Sequence, residues 1–488
     1  MCLKMLSRAS TLARLQAALV EQALRRAHPQ LEIECRTRLS AGDQDQSSPL
    51  WKLPDKGAFT ADLSQALLDG DADLVVHSFK DLPIEMPAGT TIAGALPRAD
   101  ARDVVLIKHS AIDRQPAIVN VLSSSPRRAW LLGDVLPSLL PWPTRSVEAL
   151  AVRGNIETRL RKLIEGDAHG LVMAKAALDR LLAFGAPFDR EAAIIRGYLD
   201  QCQWMVMPLR EFPWAPAQGA IAIEIAEART DLRALLAPIV CASTTTAAHD
   251  ERQVLAAQGG GCHQALGAAI VDKDYGRVVS IRGRDTAMEV WTLEGSRPSF
   301  PGADVSHVWP APGAEIAAER LPIVVGQPDA DGLWVSRAEA LPAEWIIARG
   351  TIVWASGSQT WRRLAARGIW VHGCADGLGD DERPAVEHLA GRDVRWMRLT
   401  HDRAALPESL ATYHVDVPLP EDLPVRSHFF WTSGELFTQA IRRWPAIRSA
   451  YHASGPGRTR EAIRGELGAS DRVGVWLDRA SWEKDICR

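Results

Sequence analysis

The chain has 488 residues, enough for three or four compact domains at about 150 residues each. Lys and Arg total 56 against 60 Asp and Glu, and the formal net charge of −4 argues against a chain built mainly to bind nucleic acid or an anionic membrane. No apolar run reaches the ~18–20 residues of a spanning helix, and no secretory signal is evident. We therefore expect a cytoplasmic monomer that binds neither nucleic acid nor a membrane.

The seven cysteines predict reduced thiols. They are scattered along the chain without a Cys-x-x-Cys pair, a pattern typical of a reducing compartment. Neither disulfides nor a metal site are expected.

The first half of the chain alternates helices and strands. Apolar residues at helical spacing predict helices over 10–26, 61–68 and 156–165. Short apolar runs predict strands over 31–35, 73–77, 103–107 and 170–174. The alternation predicts an α/β chain with mostly parallel sheets. Pro-rich segments at 137–143 and 208–216 are interpreted as crossings between lobes.

The second half begins with a helical stretch and strands, up to residue 290. Residues 298–330 are rich in Pro, Gly, Ala and Asp and are interpreted as the end of one domain followed by a linker. Twelve of the 17 tryptophans lie after residue 290. Three strand–Ser–Gly–helix units, at 354–357, 431–434 and 453–455, suggest an α/β body whose helix N-termini could hold anions. Simple helix capping explains the Ser-Gly pairs equally well.

Several segments carry residues suited to chemistry. His77-Ser-Phe-Lys-Asp81 follows a buried strand, a usual place for a site, although a structural turn with a solvated Lys–Asp pair is the plainer interpretation. Arg127-Arg128 at a turn, and Arg153 and Arg159 at a helix start, could together bind several carboxylates. Gln258-Gly-Gly-Gly-Cys262 leaves a thiol on a permissive loop, although a buried loop cysteine is commoner.

Together these segments resemble the porphobilinogen deaminase (hydroxymethylbilane synthase) family over about residues 5–320. Eight stretches match the family in order and approximate spacing. They are 7–18, 42–43, 56–59, 76–83, 124–128, 153–160, 218–220 and 260–262.

The resemblance implies roles for individual residues. Cys262 would carry a dipyrromethane cofactor through a thioether, and Asp81 would be the catalytic carboxylate. Further cofactor contacts would come from Asp43, Lys56, Ser78, Lys80, Ser125, Arg127 and Arg128. Substrate contacts would come from Arg8, Ser10, Arg153, Arg159, Arg180 and Gln218. The implied reaction is the head-to-tail condensation of four porphobilinogen molecules with release of ammonia. Each added ring brings two carboxylates, which explains an array of Arg.

The sequence departs from the family's pattern at several loop positions. Pro54-Asp55 and Leu122-Ser123 replace glycine-containing pairs, Pro126 replaces a Leu, and Ala217 replaces a Gly before the Gln-Gly element. These changes alter loop stiffness and leave the charged positions in place.

Residues 330–488 resemble a diverged uroporphyrinogen III synthase, the enzyme that follows in the same pathway. The resemblance rests on 333–337, 430–434 and 452–459, and it implies tentative contacts at Thr432, Ser433, Ser454 and Thr459. The competing interpretation is a structural appendage.

The expected fold class is α/β. Two doubly wound lobes like those of periplasmic binding proteins comprise 1–98 with 218–238, and 99–217. A small α+β domain over 239–325 carries the cofactor cysteine, and a C-terminal α/β domain covers 330–488. The alternative function is a non-catalytic ligand-binding or sensor module of the same build.

Overall fold

A computed structural model describes residues 2–39, 60–260, 264–285, 287–295, 298–314, 318–379, 383–404 and 408–487. Two compact units divide the chain. The first comprises Met1–Asp272, Ser280–Val290 and Glu387–Arg392. The second comprises Lys273–Val279, Trp291–Val386 and Asp393–Arg488. No helix among the described residues combines the length and the apolar character that crossing a bilayer requires.

The first lobe of unit 1 is a five-stranded sheet in the order β2-β1-β3-β10-β4. Its elements are β1 (Cys2–Arg8), α1 (Thr11–Ala27), β2 (Glu32–Arg38), α2 (Ala61–Leu68), β3 (Leu74–Ser78), β4 (Thr90–Ala95), β10 (Ile221–Ala226) and α8 (Thr230–Leu236). Strand β1 runs parallel to β2 and β3, whereas β10 runs antiparallel to β3 and β4. The core packs Ala17, Val20 and Leu24 of α1 onto this sheet.

The second lobe repeats this arrangement in the order β7-β6-β8-β5-β9. Its elements are β5 (Asp103–Lys108), α3 (His109–Arg114), β6 (Ile118–Leu122), α4 (Pro126–Val135), β7 (Ser146–Leu150), α5 (Ile156–Glu165), β8 (Gly170–Ala174), α6 (Lys175–Ala183), α7 (Asp189–Leu199) and β9 (Cys202–Val206). Strand β6 is parallel to β7 and β8, and β5 is antiparallel to β8 and β9. The two predicted doubly wound lobes are confirmed.

The chain crosses between the lobes twice, before β5 and before β10. The Pro-rich segment 208–216 belongs to the second crossing, as predicted. The prediction for 137–143 was wrong, because Leu139, Leu140 and Trp142 are buried in the second lobe between α4 and β7.

After α8 come a long helix and three strands. They are α9 (Ala242–Ala257), β11 (Leu266–Lys273), β12 (Gly276–Gly283) and β13 (Met288–Glu294). The strands form one sheet in the order β11-β12-β13.

Unit 2 contains a four-stranded sheet, β14-β21-β22-β23, and a six-stranded sheet, β15-β20-β19-β16-β17-β18. The elements of the rest of the chain are β14 (Val308–Trp309), β15 (Glu319–Pro322), β16 (Gly332–Val335), β17 (Ile352–Ala355), α10 (Ser358–Ala365), β18 (Gly373–Cys374), α11 (Glu387–Ala390), β19 (Trp396–His401), β20 (Ser409–Asp416), β21 (His428–Trp431), α12 (Gly434–Arg443), β22 (Tyr451–Ser454), α13 (Arg458–Leu467), β23 (Val473–Val475) and α14 (Arg479–Ile486). Of these, α11 belongs to unit 1.

The three predicted strand-to-helix units are β17–α10, β21–α12 and β22–α13. Four tryptophans of this region are core residues, since Trp354, Trp361, Trp431 and Trp482 are almost fully buried. The predicted linker was wrong, because residues 298–330 supply an edge strand to each sheet of unit 2.

Candidate active site

The motif at the end of β3 places three predicted site residues together. Ser78 ends the strand, and Phe79–Asp81 form one turn of 3-10 helix in which Phe79 is buried and Asp81 is exposed. A cavity of about 70 Å³ is lined by Ser78 and Asp81 and, from the end of β1 and the start of α1, by Arg8 and Ser10. The first lobe therefore presents a carboxylate, a cation and two hydroxyls at the ends of its parallel strands.

A buried hydrogen-bonded pair fixes this strand end. His77 Nε2 lies 2.7 Å from Glu224 Oε2 on β10, and the Ser64 hydroxyl donates to the same oxygen at 3.1 Å. Burial opposes ionisation of Glu224, but the hydrogen bond and charge of His77 hold its pKa below the usual range. The geometry of the Ser78–Asp81 turn is thus set by groups buried behind it.

In the second lobe, α4 presents the predicted arginine pair. Ser125 is the N-cap, accepting from Arg128 N at 3.4 Å, and Pro126 occupies the first turn, where its missing N–H costs nothing. Replacement of the family's Leu by Pro at this position therefore suits the helix start.

Both guanidinium groups bind Asp103 at the start of β5. Arg127 donates to Asp103 Oδ2 at 2.7 Å and Arg128 to Oδ1 at 2.7 Å, and all three side chains are buried. Burial opposes ionisation of Asp103, but the two guanidinium charges hold its pKa below the usual range. Arg127 also donates to the Pro213 carbonyl at 2.8 Å, so its guanidinium group makes hydrogen bonds within the protein.

Gln218 links this cluster to the first lobe. Its amide nitrogen donates to Asp103 Oδ1 at 2.9 Å, and its amide oxygen accepts from Lys80 Nζ at 3.2 Å and from Arg128 at 3.3 Å. Desolvation, with Arg128 next, lowers the pKa of Lys80 to about 8. Lys80 and Arg128 therefore face the same space from different lobes.

The start of α5 adds two more cations. Asn155 caps the helix, accepting from Thr158 N at 2.8 Å, and Arg159 Nε donates to the Gly154 carbonyl at 2.8 Å. Burial lowers the pKa of Arg159, and the charges of Arg128 and Arg153 lower it further, whereas Asp81 opposes the shift. The charges of Arg128, Arg153 and Asp81 therefore all act on Arg159.

Arg180 and the second crossing form a separate feature. Arg180 on α6 donates to the Gly219 carbonyl at 2.6 Å, and burial lowers its pKa to about 10. A Cβ at Gly219, where φ is +82°, would lie 2.8 Å from the Ala99 carbonyl oxygen of the first crossing. Arg180 thus bonds the second crossing to α6 of the second lobe.

Glu251 on α9 fixes both crossings to the helix that leads to the glycine loop. Its carboxylate accepts two bonds from Arg98 at 2.8 Å, and one each from Trp214 Nε1 at 3.0 Å, Ala217 N at 2.7 Å and Ile270 N at 2.8 Å. Ala217, which replaces the family's Gly, is held at φ +62°. Four of these bonds hold α9 against the interlobe segments, and the bond from Ile270 holds it to β11.

Three predicted site residues, Asp43, Lys56 and Cys262, lie outside the described residues. Their roles stay predictions.

Unit 2 contains a cleft of about 790 Å³. Thr432, Ser433 and Thr459 line it at the N-termini of α12 and α13. Ser454 does not belong to its lining: it is buried at the end of β22, and its hydroxyl donates to the Gly455 carbonyl at 2.9 Å. The tentative assignment of Ser454 does not match this placement.

A family model described as porphobilinogen deaminase, dipyrromethane cofactor binding domain, matches residues 3–234. A porphobilinogen deaminase of Burkholderia thailandensis is 38% identical over 266 residues, covering 54% of this chain and 74% of the relative. The chain belongs to the porphobilinogen deaminase family. A member from Lachnospira eligens is 34% identical over 294 residues, covering 59% of this chain and 91% of the relative. The protein is a transferase of this family, and the matched domain is the one that binds the dipyrromethane cofactor.

Solved structures give weaker likenesses. A periplasmic VFT2 domain of Bordetella pertussis BvgS shares 12% identity at a TM-score of 0.27, covering 52% of this chain and 92% of that one. A TRAP periplasmic solute binding protein of Desulfovibrio salexigens also gives 12% and 0.27, covering 53% and 79%. These likenesses are too weak to define the fold, which the sheet orders of the two lobes describe.

Sequence reasoning missed Asp103 and Glu251. Asp103 had one visible signal, a charged residue opening an apolar strand, which a buried ion pair explains. Glu251 lies in a helix with several other polar residues, and nothing local distinguishes it.

Proposed function

We propose that the protein is a hydroxymethylbilane synthase that condenses four porphobilinogen molecules head to tail on a dipyrromethane attached to Cys262. One observation carries the proposal: the Gln218 amide oxygen accepts from Lys80 of the first lobe and from Arg128 of the second, directly beside the exposed Asp81. An exposed carboxylate next to these cations suits a substrate that is polyanionic yet develops positive charge when ammonia leaves.

The chemistry of these side chains fits the cofactor. A dipyrromethane carries four carboxylates, for which Lys80 and Arg128 are predicted contacts, and pyrrole N–H groups, which would donate to Asp81. Arg153 and Arg159 are predicted contacts for the carboxylates of the incoming porphobilinogen. When bound, it supplies the pyrrole carbon to which the first substrate is joined. Asp81 stabilises the cation formed on ammonia loss, because a carboxylate held in place by the turn needs no reorganisation when the charge develops.

Asp81 also argues against the alternative of a non-catalytic binding module. A site evolved only to hold a polyanion gains nothing from a carboxylate among its cations, since like charges repel.

The test is porphobilinogen consumption with ammonia release by the holoenzyme. Asp81→Asn keeps the size and removes the charge, and its rate is expected to fall by about 10²–10³, the usual effect of losing one electrostatic group. Asp231→Asn, which removes an exposed carboxylate paired with Arg229, is the matched control and should be unaffected. A rate in Asp81→Asn within about twofold of the wild type would refute the role.

We propose as a second function that unit 2 closes the linear product into uroporphyrinogen III. The supporting observation is the 790 Å³ cleft with Thr432, Ser433 and Thr459 in its wall, a volume within the range of about 300–1,000 Å³ typical of small-molecule sites. The test is to oxidise the uroporphyrinogen formed from porphobilinogen to uroporphyrin and to separate its type I and type III isomers by chromatography. The type III isomer is expected, and the type I isomer alone would contradict it.

A further inference from the structure

The cleft of unit 2 has a second wall, contributed by the six-stranded sheet. Arg320 lies in β15, Ser336 follows β16 and His401 ends β19. Strands β16 and β19 are parallel neighbours, and Ser336 N donates to the Leu399 carbonyl at 3.2 Å. Ser336 and His401 therefore emerge side by side at the carboxyl end of the sheet, where ligands of parallel sheets bind.

Positive charge dominates the cleft. Among the residues that the structure describes, six arginines and two glutamates line it. Of the six, Arg320, Arg337 and Arg403 make no ion pair with any residue in the described part of the chain. Three cations without an acidic partner leave a positive field that an anionic ligand would neutralise.

Polar atoms of the same wall also lack partners. Arg320 Nε, Ser336 Oγ and His401 Nδ1 are buried without a hydrogen-bond partner among the described residues. Such groups are uncommon, because burying them unpaired costs free energy. The Ser336 hydroxyl can turn by rotation about one bond, so a ligand in the cleft can supply the hydrogen-bond partner that it lacks.

The opposite wall adds the starts of two ten-residue helices. Ser433 caps α12 and Gly457 precedes α13, and the first residues of both helices line the cleft. Helix N-termini favour negative charge. An anion between the two walls would therefore meet guanidinium groups on one side and helix starts on the other.

We propose that Arg320, Ser336, Arg337, His401 and Arg403, the arginine wall, bind the carboxylates of a small polycarboxylate molecule in this cleft. The proposal rests on the second function proposed above and names residues for substrate recognition. A 790 Å³ cleft is far larger than one phosphate or acetate ion requires, and guanidinium groups bind carboxylates in a bidentate manner.

The test uses uroporphyrin III as the probe and the holoenzyme of the full chain, with fluorescence anisotropy of the porphyrin as the readout. The double variant Arg320→Leu/Arg403→Leu should raise the dissociation constant at least about tenfold. Arg443→Leu is the matched control, because Arg443 is exposed, pairs with Glu421 and lies outside the cleft lining. It should change the constant less than about twofold.

Ser336→Ala serves as a second variant that keeps every charge. Its hydroxyl has no described partner to lose, so the fold should be intact and binding about threefold weaker or more. Displacement of the probe by equimolar ATP would overturn the polycarboxylate assignment in favour of a phosphate ligand. Binding insensitive to both the double variant and Ser336→Ala would overturn the arginine wall, whichever isomer forms. Binding that follows the predicted order in an enzyme that yields only the type I isomer would support the wall and contradict the cyclisation.

Discussion

Asp103→Asn tests the charge network behind the active site. The substitution keeps the shape of the side chain and removes the only charge that it carries, leaving the buried guanidinium groups of Arg127 and Arg128 without it. Asp103 is 0% exposed and Arg127 is 3% exposed, so solvent cannot replace the lost partner. Removing one member of a buried ion pair typically costs about 3–5 kcal/mol, a large part of the about 5–15 kcal/mol that stabilises a domain.

Hydrogen exchange measured by mass spectrometry on peptides covering β5 and α4 reports the stability of the second lobe directly. We expect the free energy of opening to fall by about 3 kcal/mol or more in Asp103→Asn. Asp231→Asn, an exposed carboxylate bonded to Arg229, should leave the same peptides unchanged. A loss below about 1 kcal/mol, the value of a surface pair, would refute the argument that this ion pair compensates buried charge.

The pH dependence provides a second criterion. The pKa of Asp103 is lower in the folded than in the unfolded chain, so its contribution to stability is complete above the unfolded value of about 3.9 and is lost as the pH falls. The difference between wild type and Asp103→Asn should therefore be constant over the neutral range and shrink only below about pH 4. A difference that disappears near neutral pH would contradict the low pKa.

Three further predictions concern the crossing, the cleft and unit 2. Gly219→Ala should destabilise the protein by about 2 kcal/mol or more in thermal unfolding, because Gly219 has a φ of +82° and a Cβ there would meet the Ala99 carbonyl oxygen. Gly197→Ala, in a helix with open space around it, is the control and should be neutral or stabilising. Equal effects of the two substitutions would contradict the steric explanation. Lys80 has a pKa of about 8 and loses its charge above that pH, so KM for porphobilinogen should rise above pH 8 in the wild type but not in Lys80→Arg. Identical profiles of KM against pH in the two proteins would exclude Lys80 from anion binding. Burial lowers the pKa of His452 to about 4, so its contribution to the stability is complete above the unfolded pKa of about 6.5 and is lost as the pH falls. Urea unfolding followed by tryptophan fluorescence should show the free energy of unfolding decrease by about 2 kcal/mol between pH 6.5 and 5. A flat profile would show that His452 is not buried in its neutral form.

The lobes and the loop motifs were predictable because their signals are local. Alternating helices and strands show as periodicity, and the Ser78–Asp81 turn directly follows an apolar strand. The pairing of Asp103 with Arg127 and Arg128 was not predictable, since it joins positions 24 and 25 residues apart that only the folded sheet brings together. Arg127 and Arg128 both donate to Asp103, and their predicted contacts with the cofactor stay predictions.

Unit 2 was the least predictable region. Strands β14 and β15 have two and four residues, too short for an alternating pattern, so the segment containing them looked like a linker. The arginines of the cleft come from segments that are widely separated in the sequence, and only the folded six-stranded sheet brings them together in one wall. The helix starts at Thr432 and Thr459 were found because Ser-Gly pairs mark them locally.

Intact mass spectrometry of the purified protein tests the central claim most directly. Protein produced in a host that makes tetrapyrroles should be heavier than its polypeptide by one dipyrromethane, and Cys262→Ser should have the mass of the polypeptide alone. An unmodified wild type, or an adduct retained in Cys262→Ser, would contradict the account.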